Sequence, residues 1–181
     1  MASAFGHALA AITLGTSFSK TLKTWKFWTL GIICSILPDA DVIGFQFNVA
    51  YESFWGHRGF SHSLFFAALV GIVVTALFFR KDVFSKKGLG LTFYFFLCTA
   101  SHAVLDALTT GGLGIAFFSP FDDARYFFPS RPIQVSPIGF EDFFGEWGKR
   151  VLISEAFWIG IPCAAYLVLV FIIRKVSSPK T

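Results

Sequence analysis

Five apolar segments separated by short charged stretches make up most of this chain, and they leave it few folds to adopt. They run roughly over residues 3–16, 25–47, 63–79, 89–108 and 152–173. A helix that crosses a bilayer needs about 20 apolar residues, and segments 63–79, 89–108 and 152–173 are read as long enough. Segment 25–47 is apolar except for Pro38-Asp39-Ala40-Asp41 near its end. Segment 3–16 is short and carries His7, so it reads as a short or re-entrant helix tucked into the bundle. No basic stretch precedes it, which argues against a cleaved signal peptide. Backbone polar groups in lipid must be satisfied within each segment. The expected fold is therefore all-α: an integral membrane bundle of about five helices, forming a single domain over residues 1–181.

Composition supports that reading. A soluble domain of this length could not hide 25 Phe and 55% hydrophobic residues in one core. Cys34, Cys98 and Cys163 each lie inside an apolar run without CxxC spacing, and they read as small buried hydrophobes rather than disulfide partners or metal ligands. The net charge of +4 does not point to nucleic acid, because the basic residues gather where apolar segments end.

Those charges predict an orientation. Lys20, Lys23 and Lys26, then Arg80, Lys81, Lys86 and Lys87, then Arg174, Lys175 and Lys180 all fall on one side of an up-and-down chain, together ten of the 15 Lys and Arg. Of the 11 acids only Asp82 joins them. By the positive-inside rule that side is cytoplasmic, with the N-terminus outside and the C-terminus inside. The long stretch 109–150 then lies outside. It is rich in Gly, Pro and paired Phe, too apolar for disorder, and is expected to cap the outer ends of the helices.

The same threading collects the polar residues that no apolar helix carries without reason. His7, Asp39, Asp41, His57, His62, His102 and Asp106 all come to the outer layer. His and Asp are ligands for zinc, manganese or iron. His102 and Asp106, four residues apart, share one helix face and can chelate one ion or bridge two; the bland alternative is a hydrogen-bonded pair between helices. In His57-Arg58-Gly59-Phe60-Ser61-His62-Ser63, Gly59 permits a tight turn, Ser61 is expected to cap the third helix, and His62 falls in its first turn. Pro38 should kink the second helix and free backbone carbonyls beside Asp39 and Asp41. Glu155, at the outer start of the last helix, is read by default as a helix N-terminal acid, with metal ligation or ligand support as alternatives. Arg58, Arg125 and Arg131 are the outer cations able to hold a phosphate or carboxylate; pairing with Asp122, Asp123 or lipid headgroups is the other reading.

Taken together, His7, Leu-Pro-Asp-Ala-Asp, His-Arg-Gly-Phe-Ser-His-Ser, Ser-His-Ala-Val-Leu-Asp and the Pro-Phe…Arg-Tyr-Phe-Phe-Pro stretch resemble the bacterial membrane-bound metal-dependent hydrolases. These are the YdjM-like proteins, described as LexA-regulated inner-membrane proteins. The resemblance covers nearly the whole chain and implies hydrolase activity in the inner membrane. More distantly, His102-x-x-x-Asp106 is similar to the ligand pair of zinc-dependent phospholipase C, an all-helical enzyme with clustered zinc ions. The later His-x-x-x-Glu pair of that enzyme has no counterpart, since Val151 stands four before Glu155, which implies one or two ions rather than three.

The function expected from these readings is metal-dependent hydrolysis at the outer membrane–water interface. The cofactor would be one or two divalent ions, zinc preferred, with manganese or iron as alternatives. Ligands would come from His7, Asp39, Asp41, His57, His62, His102 and Asp106, with Asp39 as proton acceptor and the three arginines holding an anionic substrate. A membrane lipid or lipid-linked molecule with a phosphoester or related bond is the expected substrate. Two rivals remain: a transporter or channel with a His/Asp relay, and a structural protein whose metal staples its helices. Oligomeric state is left open.

Overall fold

The computed structural model describes residues 1–177, and Lys180 lies outside the described residues. The chain is helical throughout its regular elements: α1 (Ala4–Gly15), α2 (Trp25–Ile36), α3 (Leu64–Phe78), α4 (Lys86–Ala107), α5 (Phe140–Phe143), α6 (Glu146–Glu155) and α7 (Ile161–Ser177). Four helices start on a hydroxyl that accepts a first-turn N–H: Ser3 before α1, Thr24 before α2, Ser63 before α3 and Ser85 before α4.

Three helical stretches are long and apolar enough to cross a membrane: Trp25–Phe47, Lys86–Ala107 and Glu146–Ser177. The first continues α2 through an 11-residue 3-10 run, Leu37–Phe47. The last joins α6 to α7 through a π-turn at Ala156–Gly160. Pro162 explains the turn, because its ring would collide with the carbonyl of Trp158 in an unbroken α-helix. Two expectations change here. Segment 63–79 was expected to span, yet α3 has 15 residues, about 22 Å of helix, against a hydrocarbon core of about 30 Å. The final helix, in turn, begins at Glu146, inside the stretch expected to be loop.

The bundle core is aromatic. Phe27 of α2 stacks on Tyr94 of α4 with centroids 3.8 Å apart, and Leu91, Phe95, Cys34, Cys98 and Ala11 close around them. Cys34 and Cys98 are free and buried, as small hydrophobes are. At Gly31 an added Cβ would run into the Tyr94 hydroxyl, so glycine is what lets α2 approach α4. No residue of α7 is buried, a pattern that suits lipid rather than protein around it.

The helices alternate in direction, so charge and polar residues sort to opposite ends. At one end Lys23 donates to the Thr16 carbonyl at 2.8 Å, and Arg174 donates to the carbonyls of Thr16 and Phe18, tying the ends of α1 and α7 to the start of α2. At the other end meet the start of α1, the 3-10 run, residues 57–62, the end of α4 and Glu155.

Candidate metal centre

Pro38 sets the geometry of this end. In a 3-10 register residue 38 would donate to the Ser35 carbonyl, but proline has no N–H. That carbonyl instead accepts from His102 Nδ1 at 2.7 Å. His102 thus carries its hydrogen on Nδ1 and turns Nε2 inward.

His62 is oriented the same way from the opposite side. The sequence reading placed it in the first turn of α3 with Ser61 as cap. Instead it ends a separate 3-10 turn, Phe60–His62, and Ser63 caps α3 by accepting from Phe66 N at 3.0 Å. Ser61 is diverted because its hydroxyl donates to Asp41 Oδ2 at 2.5 Å. His62 Nδ1 lies 3.2 Å from the same oxygen, so His62 Nε2 also points inward. The two Nε2 atoms face each other at 3.1 Å. With both Nδ1 atoms donating to acceptors, two lone pairs meet there unless a proton or a metal ion lies between them.

Carboxylates complete the set. Asp39 Oδ1 is 3.3 Å from His102 Nε2 and 3.8 Å from His62 Nε2. Asp106 Oδ2 is 3.8 Å from His62 Nε2 and 3.9 Å from His102 Nε2. One donor atom each from Asp39, His62, His102 and Asp106 therefore falls within 4.8 Å of the others. His7 stacks on His102 with centroids 3.8 Å apart, and its Nε2 is 3.4 Å from Asp106 Oδ1.

Hydrogen bonding supports the fit of an ion. Buried polar atoms are nearly always partnered, yet Asp39 Oδ1, Asp106 Oδ2 and both ring nitrogens of His7 lack a hydrogen-bond partner. Asp39 Oδ1 and Asp106 Oδ2 border the same point, and His7 stacks beside it on His102. The donors are two imidazoles and two carboxylates, a set suited to zinc, manganese or iron.

Asp41 and His57 form a neighbouring group with His62. Asp41 is fully engaged: Oδ1 holds His57 Nδ1 at 2.6 Å, and Oδ2 takes Ser61 Oγ, His62 Nδ1 and the Arg58 amide at 3.2 Å. It thus orients both imidazoles by their Nδ1 atoms, the arrangement that metal-binding histidines use. Burial pushes the His57 imidazole below its ordinary value, against the pull of Asp41. Burial also opposes charge on His62, but Asp39 and Asp41 outweigh it and lift that imidazole to about 9. Positive charge belongs at this point whether a proton or a metal supplies it.

The arginines divide. Arg58 is wholly buried; it donates to Thr109 Oγ1 at 2.9 Å and to the Gly111 carbonyl at 2.5 Å, with Nε 3.4 Å from Asp106 Oδ2. Its backbone sits in the left-handed region at φ 67°, an unfavourable conformation for a side-chain-bearing residue that its neighbours hold in place. Gly59 follows because a Cβ there would strike the Phe54 carbonyl oxygen. Arg125 donates to the carbonyls of Tyr51, Ser53 and His57, fastening its own loop onto the 51–57 turns rather than onto an acid. Arg131 stands exposed over the Phe127 ring at 4.6 Å.

Sequence reasoning missed the partners of Asp106. Glu155 accepts from the Ser3 amide and hydroxyl, both at 2.5 Å, and the adjacent Ala2 amide donates to Asp106 Oδ1 at 2.6 Å. Glu155, the last residue of α6, is therefore a support for the segment that holds Asp106 and not a helix N-terminal acid. An acid at the start of the last apolar segment was the signal in the sequence that pointed to it.

Comparison with known proteins agrees with this fold. The chain matches the YdjM inner membrane protein family over residues 1–177. It is similar to the inner membrane protein YbcI of Escherichia coli strain K12, with 35% identity over 156 residues that cover 86% of this chain and 89% of YbcI. No solved structure matches the chain. The family match takes in every apolar helix and every candidate ligand: the chain belongs to the YdjM inner membrane protein family.

Proposed function

We propose that this protein is a metal-dependent hydrolase working at the outer membrane–water interface on a phosphoester or related bond of a lipid-linked substrate. The observation that carries the reading is the pair of inward-facing Nε2 atoms of His62 and His102, 3.1 Å apart with both Nδ1 atoms already donating. Asp39, His62, His102 and Asp106 would hold one divalent ion, zinc by preference, with His7 stacked on His102 beside it. Such an ion lowers the pKa of a water it binds from about 15.7 toward about 7 and polarises the bond under attack.

The residues then divide the work. Asp39 alone of the four has an outward aspect, at 9% exposure, whereas His62, His102 and Asp106 are sealed at 0–1%. Asp39 is thus the group placed to take a proton from incoming water. Arg58, fixed behind Asp106, is the cation nearest the developing charge, and Arg125 and Arg131 serve the loop instead. The opening at Asp39 also favours an enzyme over a metal staple, which needs closed coordination.

The test is turnover of a panel of phospholipids and polyprenyl phosphates by detergent-solubilised protein, with and without chelator. Chelator-sensitive turnover that disappears in Asp106→Asn and Asp39→Asn is expected. Bound metal without any such turnover replaces this reading with the staple.

A further inference from the structure

Beside Asp39 the surface folds into a groove of about 390 Å³. Its walls are Phe5, Ile36, Pro137, Ile138, Phe143 and Phe144, with Ser3 and Ser136 as the polar interruptions and Asp39 at the inner end. The volume is at the lower end of small-molecule sites, which occupy about 300–1,000 Å³. Three sequence-distant pieces build it: the start of α1, the end of α2, and the 136–144 stretch. The Phe5 and Phe143 rings stack across it at 6.1 Å.

Two observations define what it takes. The first is that the inner end is closed by a carboxylate, Asp39, so the occupant ends in a polar group there. The second is that no Lys or Arg lines the groove, and the ammonium of Met1, which does line it, lies 3.9 Å from Asp106 Oδ2, so the rest of the occupant is uncharged and apolar. The groove also lies at the level where the Glu146–Ser177 and Ala4–Gly15 helices begin, and Phe5 and Phe144 are 66% and 71% exposed at its rim. In an inner membrane protein such a rim opens toward acyl chains.

We infer that this groove binds one hydrocarbon chain of a membrane lipid and brings the polar junction at the end of that chain to Asp39. The inference rests on the proposed function for the meaning of that junction: it is the bond presented for hydrolysis. Chain binding itself requires no turnover and can be read separately.

The experiment uses the full chain in nanodiscs of phosphatidylethanolamine and phosphatidylglycerol doped with a phospholipid bearing a diazirine in its acyl chain. After irradiation, peptide mass spectrometry maps the adducts. Adducts at Phe5, Ile138 and Phe143 are expected to exceed those at Leu169 and Ile172 of α7, which sample bulk lipid. Ile138→Trp fills the groove and should cut the groove adducts about tenfold, the loss of one side chain's worth of apolar contact, with α7 adducts unchanged. If that variant does not fold, Ala4→Trp blocks the groove from the α1 wall and carries the same expectation.

Adducts spread evenly over all apolar faces, or groove adducts indifferent to both tryptophans, overturn the inference. A groove that takes a partner protein's helix would give the first of these results in pure protein. Groove adducts together with absent chelator-sensitive turnover would leave the chain site standing and remove the hydrolase. Chelator-sensitive cleavage of a water-soluble ester without groove adducts would do the reverse.

Discussion

The Ser35 carbonyl holds His102 by Nδ1 at 2.7 Å because Pro38, three residues on, has no N–H to offer it. A helix-breaking residue thereby selects the tautomer of a candidate metal ligand on another helix. Pro38→Ala puts the N–H back, so the Ser35 carbonyl gains a rival to His102. Zinc affinity should fall about 10–100-fold, the usual cost of losing a group that orients a ligand. The fold should not suffer, since proline costs a helix interior about 3 kcal/mol relative to alanine. Competition against a chromophoric chelator, with thermal unfolding measured alongside, checks both halves. Unchanged affinity in a more stable variant would mean that Ser35 does not govern His102.

Both carboxylate oxygens of Asp41 are already committed to His57, Arg58, Ser61 and His62, which makes it an orienting group rather than a ligand. Asp41→Asn should weaken metal binding about 10–100-fold without changing its saturating stoichiometry. His102→Ala combined with Asp106→Ala should abolish binding. Elemental analysis at saturating zinc separates the two effects. A drop by one whole ion in Asp41→Asn would make Asp41 a ligand in its own right.

Much of this end was legible in the sequence because topology and ligand chemistry leave marks on residue types. Lysine and arginine placement brought Asp39, His62, His102 and Asp106 into one layer, and the spacing of four between His102 and Asp106 put both on one face of α4. The supports were not legible, because a support is often a backbone group or a contact across the chain. Nothing in the identity of Ser35 marks its carbonyl as a hydrogen-bond acceptor for His102. Glu155 and Ser3 are 152 positions apart, and neither belongs to a recognisable pattern. The charge of Arg58 is visible in sequence, whereas its burial against Thr109 and Gly111 is not. Ser61 and Ser63 are equally good caps on paper; only the position of Asp41 decides between them.

Gly31 should tolerate nothing larger. In most helices Gly→Ala gains up to about 1 kcal/mol of propensity, but here the new methyl meets the Tyr94 ring. Overpacking of this kind costs about 1–3 kcal/mol, so Gly31→Ala should lower thermal stability despite the better helix former. Gly31→Ala with Tyr94→Leu should cost less than the two single changes added together, because the collision is then gone. Strict additivity in the same detergent would show that α2 and α4 do not depend on this contact.

Charge predicts the side of the membrane that the centre faces. Lys20, Lys23, Lys26, Arg80, Lys81, Lys86, Lys87, Arg174 and Lys175 belong to the end opposite His62 and His102. A cluster of that sign is retained in the cytoplasm during insertion. In a background freed of Cys34, Cys98 and Cys163, a membrane-impermeant maleimide applied to intact cells should modify Glu141→Cys and spare Lys86→Cys. Glu141 is exposed on α5 beside the groove, so its labelling reports the side on which the centre opens. Labelling of Lys86→Cys instead would turn the protein over. The water and the bond to be cleaved would then meet on the cytoplasmic leaflet, and the substrate would have to be sought among lipids made there.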